Sequence, residues 1–158
     1  MTTLVVVPCG SKKVWNVQPD AGPTPACDAY VGVPFKVHRR YAERFGDRWL
    51  ILSAKYGLIA PEFVILNAYN ITFKRKSPPP VSAVFVRSQV REQRLVYKTI
   101  IALGGNEYVS IVKRAFPEGQ VISPFAGMKL GEMLQAEIQA IASGDPLGKG
   151  HGQVRGSL

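Results

Sequence analysis

The chain has 158 residues, 46% hydrophobic and 20% charged, with 20 Lys and Arg against 11 Asp and Glu for a formal net charge of +9. That size suits one domain burying about 70% of its unfolded surface, and the basic excess favours a polyanionic partner, DNA or RNA first. Two cysteines and two histidines exclude a disulfide scaffold and a zinc-ligand cluster, and no apolar run approaches the roughly 18 residues that span a bilayer. Too few residues precede the first apolar run to form a secretory leader, so the expectation is a cytoplasmic protein with reduced thiols, no cofactor, no metal and no membrane contact. The oligomeric state is not legible.

The first predicted strand, Leu4-Val5-Val6-Val7, is apolar on both faces and stops at Pro8-Cys9-Gly10-Ser11-Lys12-Lys13, the pattern of a buried strand ending at the edge of an open sheet. Residues 14–25, with three prolines, read as a loop long enough to cover a site. A short segment, Ala26 to Tyr30, follows. Pro34 opens a helix that turns His38, Tyr41, Ala42 and Phe45 inward, His38 as a core histidine, and stops at Gly46. Trp49-Leu50-Ile51-Leu52 is the second strand, again followed by small and basic residues, Ser53-Ala54-Lys55-Tyr56-Gly57. Residues 61–69 read as irregular, and Lys74-Arg75-Lys76 with Pro78, Pro79 and Pro80 as a stiff basic loop.

Ser82 caps a helix predicted over 81–96. If that helix reaches Lys98, then Arg87, Arg91, Arg94 and Lys98 share one face as a cationic stripe. Glu92 is the one acid among seven bases from Lys74 to Lys98, which favours a phosphate-tracking surface over an ordinary solvated face. Residues 99–103 form the third strand, turning at Gly104-Gly105. Tyr108, Ile111, Val112 and Ala115 mark the next helix, and Gln120 to Ile122 the fourth strand, followed by Ser123-Pro124. In the last helix Leu130, Met133, Leu134, Ile138 and Ile141 recur at helical spacing. Strands alternating with helices predict one α/β domain over 1–143, with a four-stranded, mostly parallel sheet covered on both faces, then a flexible tail over 144–158.

A parallel sheet gathers its strand ends on one edge, where ligands bind in such folds. That edge holds Cys9 with Lys12 and Lys13, Ser53 with Lys55 and Tyr56, the glycines Gly10, Gly57, Gly104 and Gly105, and Ser123-Pro124. Glycines allow close backbone approach and lysines pair with phosphate. Cys9 is a nucleophile whose thiolate the neighbouring cations favour, or a small space-filler. Asp28 is a general base or a turn residue. Tyr30, Tyr56 and Tyr108 stack on a base or pack.

Pro8-Cys9-Gly10-Ser11-Lys12-Lys13, Asp28-Ala29-Tyr30, Leu52-Ser53-Ala54-Lys55-Tyr56-Gly57-Leu58 and residues 104–108 together resemble a family of small bacterial and phage domains. That family is related to the YaaA peroxide-stress group and the lyase core of archaeosine synthase, and the likeness runs to about Ile141. Pro8-Cys9 and Lys13 match the archaeosine synthase pattern, with Val14-Trp15 where that pattern has Pro-Tyr. The order of motifs is also similar to the uracil-DNA glycosylase superfamily, a four-stranded parallel sheet with motifs after its first and last strands. Ser123-Pro124-Phe125 resembles the second motif, with Ile122 in place of its usual His; the acid of the first motif has no counterpart in residues 8–13, and Asp28 is the substitute.

What the resemblance implies, with the charge, is a glycosylase-like enzyme acting at the N-glycosidic bond of a modified nucleobase. Cys9, Lys13 and Asp28 are then catalytic, Lys12 or Lys13 stabilises developing charge or serves as an amine nucleophile, and Arg87, Arg91, Arg94 and Lys98 grip the backbone. The alternatives are a non-catalytic nucleic-acid or nucleotide-binding regulator and a deoxyribosyl transferase of nucleotide metabolism.

Overall fold

The computed structural model describes residues 2–148. In chain order the elements are β1 (Thr3–Pro8), α1 (Val14–Val17), β2 (Thr24–Pro25), α2 (Ala26–Ala29), α3 (Val33–Phe45), β3 (Arg48–Ser53) and β4 (Gly57–Ile59). Then come β5 (Val64–Ile65), α4 (Ala83–Glu92), β6 (Thr99–Ala102), α5 (Asn106–Ala115), β7 (Gln120–Ile122) and α6 (Leu130–Ser143).

The fold is α/β, built on a sheet of order β4-β3-β1-β6-β7. β1 lies at its centre, parallel to β3 on one side and β6 on the other, and β7 extends the parallel set. Leu4, Val5, Val6 and Val7 are each at most 1% exposed, a burial that contributes about 1.5–3 kcal/mol per side chain. Alternate residues feed two cores. Val5 and Val7 face the core shared with α3 and α6, and Leu4 and Val6 the one shared with α4 and α5. Among the described residues no helix is long and apolar enough to cross a membrane.

The expected four-stranded sheet is a mixed five-stranded one. Its extra strand, β4, doubles back antiparallel onto β3, pairing Ser53 with Gly57 and Leu52 with Leu58. The Ser53 hydroxyl accepts from the Lys55 and Tyr56 amides, both at 3.1 Å, tightening the turn. Gly57 completes it at φ +78°, a conformation L side chains rarely adopt.

Other differences from expectation have equally local causes. The 14–25 loop contains α1, anchored by Trp15, whose indole N–H donates to the Gly22 carbonyl at 3.1 Å. The stretch expected to be irregular supplies β5, which pairs with β2 in a separate two-stranded sheet. Of the segment expected as a flexible tail, residues 144–148 turn back on the domain, where the Tyr41 hydroxyl donates to the Pro146 carbonyl and Gly148 is buried; residues 149–158 lie outside the described residues.

The helix expected over 81–96 ends at Glu92. Ser82 caps it as predicted, accepting from the Phe85 amide. Beyond Gln93 the backbone reverses through Arg94 at φ 53°, and the Leu95 amide donates to the Val90 carbonyl. The reversal buries Leu95 to 5% exposure, an apolar gain that outweighs the about 1–2 kcal/mol cost of a left-handed non-glycine residue. Arg87 and Arg91 therefore sit one turn apart on α4, and Arg94 and Lys98 follow on the connecting loop, so the expected single helical stripe does not form.

In α6 the buried positions are Met133, Glu137 and Ala140, while Leu130 and Ile138 are exposed. Of the expected apolar stripe Met133 is in the core and Ile141 packs against it, while the inward position between Met133 and Ala140 carries a carboxylate, paired with His38 on α3 at 2.8 Å.

Gly104, at φ +100°, lies against the Pro8 ring, where an added Cβ would come within 2.8 Å of Pro8 Cγ. Gly104→Ala is therefore expected to lower unfolding free energy by about 2 kcal/mol, read from urea titration. A loss within about 0.5 kcal/mol, the range of ordinary surface changes, would show the turn to be slack.

Candidate active site

The carboxyl ends of the parallel strands carry one polar cluster around Lys13. The loop after β1 is strapped down by the Val31 amide, which donates to the Lys12 carbonyl at 3.0 Å, and by a bridge between Lys13 and Tyr30. Lys13 then opens α1, its amide donating to the Asn16 side-chain oxygen at 2.7 Å. This pairing separates two adjacent lysines: Lys12 faces solvent, and Lys13 is 8% exposed.

The Lys13 ammonium lies 4.5 Å from the centre of the Tyr69 ring and 6.0 Å from that of Tyr30, and donates to the Ser11 carbonyl at 3.4 Å. Lys55 approaches the Tyr69 ring at 5.6 Å and the Tyr56 ring at 5.2 Å. Tyr69 thus has two ammonium groups within 5.6 Å of its ring centre, and among the described residues neither lysine pairs with a carboxylate. Burial pushes the Lys13 pKa down, and the nearby Cys9 thiol partly opposes that shift. Two cations converging without a counter-ion make a site for an anion or for developing negative charge.

Phenols and hydroxyls complete the cluster. The Tyr69 hydroxyl hydrogen-bonds with those of Tyr30 and, at 3.0 Å, Ser53. The Cys9 thiol meets the Tyr108 hydroxyl at 3.5 Å, and Phe73 packs edge-on against Tyr108. Burial first, then the neighbouring Cys9, pushes the pKa values of Tyr30, Tyr69 and Tyr108 up. All three are therefore protonated at neutral pH and able to donate to an oxyanion or a leaving group. A cleft of about 460 Å³ opens onto this cluster, lined by Ser11, Lys13, Trp15, Asn16, Ala68, Tyr69 and Asn70. Arg75 joins its rim by donating to the Asn70 side-chain oxygen at 3.0 Å.

Of the residues expected at the site, Pro8, Cys9, Gly10, Ser11, Lys13, Tyr30, Ser53, Lys55, Tyr56 and Tyr108 gather on this edge. Gly104 and Gly105 are there too, as the Pro8 contact and the N-cap of α5. Gly57 serves the turn into β4. Ser123 and Pro124 follow β7 on the same edge, where the Ser123 carbonyl accepts from the Ala126 amide.

Asp28 is not brought in. It is exposed on α2, and the charged groups that feel it are Cys27 and Arg39, because Ala26 and Ala29 take the inward positions of that single turn. Arg91, Arg94 and Lys98 lie toward the opposite edge of the sheet, since α4 begins near the end of β3, where the Val81 amide donates to the Ala54 carbonyl, and runs down to the start of β6. Sequence reasoning missed Tyr69, Asn70, Trp15 and Asn16. Among the described residues no group of three or more His, Cys, Asp or Glu side chains is placed to hold a metal ion.

This α/β domain belongs to a family of unknown function, DUF6884, whose model matches residues 4–137. Within the curated proteins it is similar to the uncharacterized protein YfjM of Bacillus subtilis (strain 168), with 40% identity over 144 residues, 89% of this chain and 96% of that protein. A crystal structure of AF0587, a protein of unknown function, matches 90% of this chain at 12% identity with a TM-score of 0.41. The match covers 52% of that chain, so this protein spans about half its length.

Proposed function

We propose that the protein is an enzyme acting on a nucleobase of DNA or RNA at the N-glycosidic bond, with Lys13 as an amine nucleophile. The observation that carries this is Lys13 itself: a buried amine without a carboxylate partner, at the wall of a cleft large enough for a nucleoside and surrounded by protonated phenols. The neutral amine attacks C1′ of the sugar, and the bond from C1′ to the base breaks with its electron pair leaving on the base. A proton from a phenol of the cluster or from water neutralises the departing base. The C1′–O4′ bond then breaks, one proton of the attached amine passes to O4′ and an iminium forms between C1′ and the lysine nitrogen; water adds to it and releases the open-chain sugar aldehyde and the free amine. Exposed Lys12, Lys55 and Arg75 meet the flanking phosphates. The finer fold reading, a uracil-DNA glycosylase-like scaffold, draws support from the four parallel strands with the cluster at their carboxyl ends.

The test is a panel of modified and unmodified DNA and RNA incubated with the protein, with mass spectrometry of the released bases. Release that falls steeply as salt rises is expected; neither release nor exchange across the panel would sink the proposal. A second reading, a deoxyribosyl transferase on free nucleotides, is favoured by the small cleft and by the helical arginines running away from it. Turnover of free nucleotides indifferent to salt would select it.

A further inference from the structure

At the other edge of the sheet, a second cleft of about 660 Å³ opens between the carboxyl ends of α4 and α5. Its walls carry Arg87, Arg91 and Arg94, and its floor includes Leu95, Tyr97 and Phe116. Leu95 and Phe116 are 5% and 4% exposed, while Tyr97, which also lines the cleft, is half-buried. This cleft and the one at the lysine cluster share no lining residue.

The ordinary explanation for basic residues here is neutralisation of the helix dipoles, and charge balance limits it. Each helix end presents about −0.5 of an elementary charge, and Glu118 on the rim adds one carboxylate. Three guanidiniums exceed that by about one positive charge. None of the three pairs with a carboxylate among the described residues. A polynucleotide track is also a poor fit, because a backbone groove needs cations spread along a surface, whereas these converge on a concave site with an apolar, aromatic floor. Guanidinium forks match phosphate oxygens and stack on planar rings, and an aromatic floor accepts a heterocycle.

We propose that this cleft is a second ligand site, separate from the lysine cluster, that binds a nucleoside monophosphate with its base on Tyr97 and its phosphate on Arg91 and Arg94. The site does not depend on the glycosidic chemistry proposed above.

The experiment is calorimetric titration of the full chain with AMP, GMP, CMP and UMP, alongside inorganic phosphate and adenosine. At least one monophosphate is expected to bind with a dissociation constant below about 1 mM, at least about tenfold tighter than phosphate or adenosine alone. The Arg91→Gln, Arg94→Asn double variant, in which Asn tolerates the positive φ of position 94, is expected to weaken binding at least about tenfold. Val96→Glu, at a rim position 87% exposed, should weaken it several-fold without touching the core. Lys13→Met should leave it unchanged. The proposal is overturned by absence of saturable binding, by binding indifferent to these rim changes, or by binding lost with Lys13. It is equally overturned if single-stranded oligonucleotides, and not the monophosphates, protect Arg91 and Arg94 from a guanidinium reagent.

Discussion

Lys13→Met is expected to reduce base release by about 10³-fold or more while leaving the fold as stable as the parent or more stable. The two halves of that result have one cause. Folding takes the Lys13 amine out of water without giving it a carboxylate, which depresses its pKa below the usual 10.5. A depressed lysine pKa means the folded chain binds fewer protons than the unfolded chain. The resulting destabilisation is fully present below the folded pKa and fades as pH rises toward 10.5. Methionine has a similar length and no charge, so the stability advantage of the variant is expected to be largest at neutral pH and to shrink in alkaline buffer. Catalysis runs the other way: the neutral amine is the nucleophile, so the parent's rate rises with pH and levels off at a midpoint below 10.5. Borohydride added during turnover should reduce the iminium to a secondary amine and leave a sugar on Lys13, located by peptide mass spectrometry. A Lys13→Met variant that retains base release, or an adduct on Lys12, removes Lys13 from the chemistry.

The difference between Lys12 and Lys13 also marks where the sequence stops being legible. Residues 4–7 and 49–52 announce buried parallel strands because strands covered on both faces are apolar at every position. The edge where the site forms follows from that arrangement alone. Which of two adjacent lysines turns inward does not, since it is decided by the bridge from Lys13 to Tyr30, a pairing across an intervening loop. Tyr69 was hidden for the same reason: it lies in a stretch without periodicity, and its importance comes entirely from the company of Lys13, Lys55, Ser53 and Tyr30. The end of α4 was misplaced because neither glycine nor proline punctuates it. Arg94 takes the left-handed turn under the pull of Leu95 toward the core, and with it the cationic stripe divides between a helix and a loop.

Position 137 shows the largest conflict between local pattern and tertiary demand, and the largest expected stability effect follows from it. Glu137 is fully buried and His38 is 3% exposed, joined through Oε1 and Nδ1 at 2.8 Å between α6 and α3. The other carboxylate oxygen, Oε2, has no hydrogen-bond partner among the described residues. Tyr41, on the same face of α3 as His38, has its pKa pushed up by burial and then by the Glu137 charge. Removing one partner leaves the other polar group buried without its hydrogen bond, which costs about 1–3 kcal/mol and more for a charged group. His38→Ala should therefore lower the urea midpoint sharply, more than Glu137→Gln, which removes the charge yet keeps an oxygen for Nδ1. Replacing both with apolar residues, His38→Leu with Glu137→Met, should recover most of the loss and can exceed the parent, since neither desolvation penalty remains. The double-mutant cycle then yields a coupling energy of about 2–3 kcal/mol. Additive single effects would mean that α3 and α6 are held by their apolar contacts alone. Strong coupling would mean that the pair selects how these helices meet, a specificity that an apolar stripe through Leu130 and Ile138 would not provide.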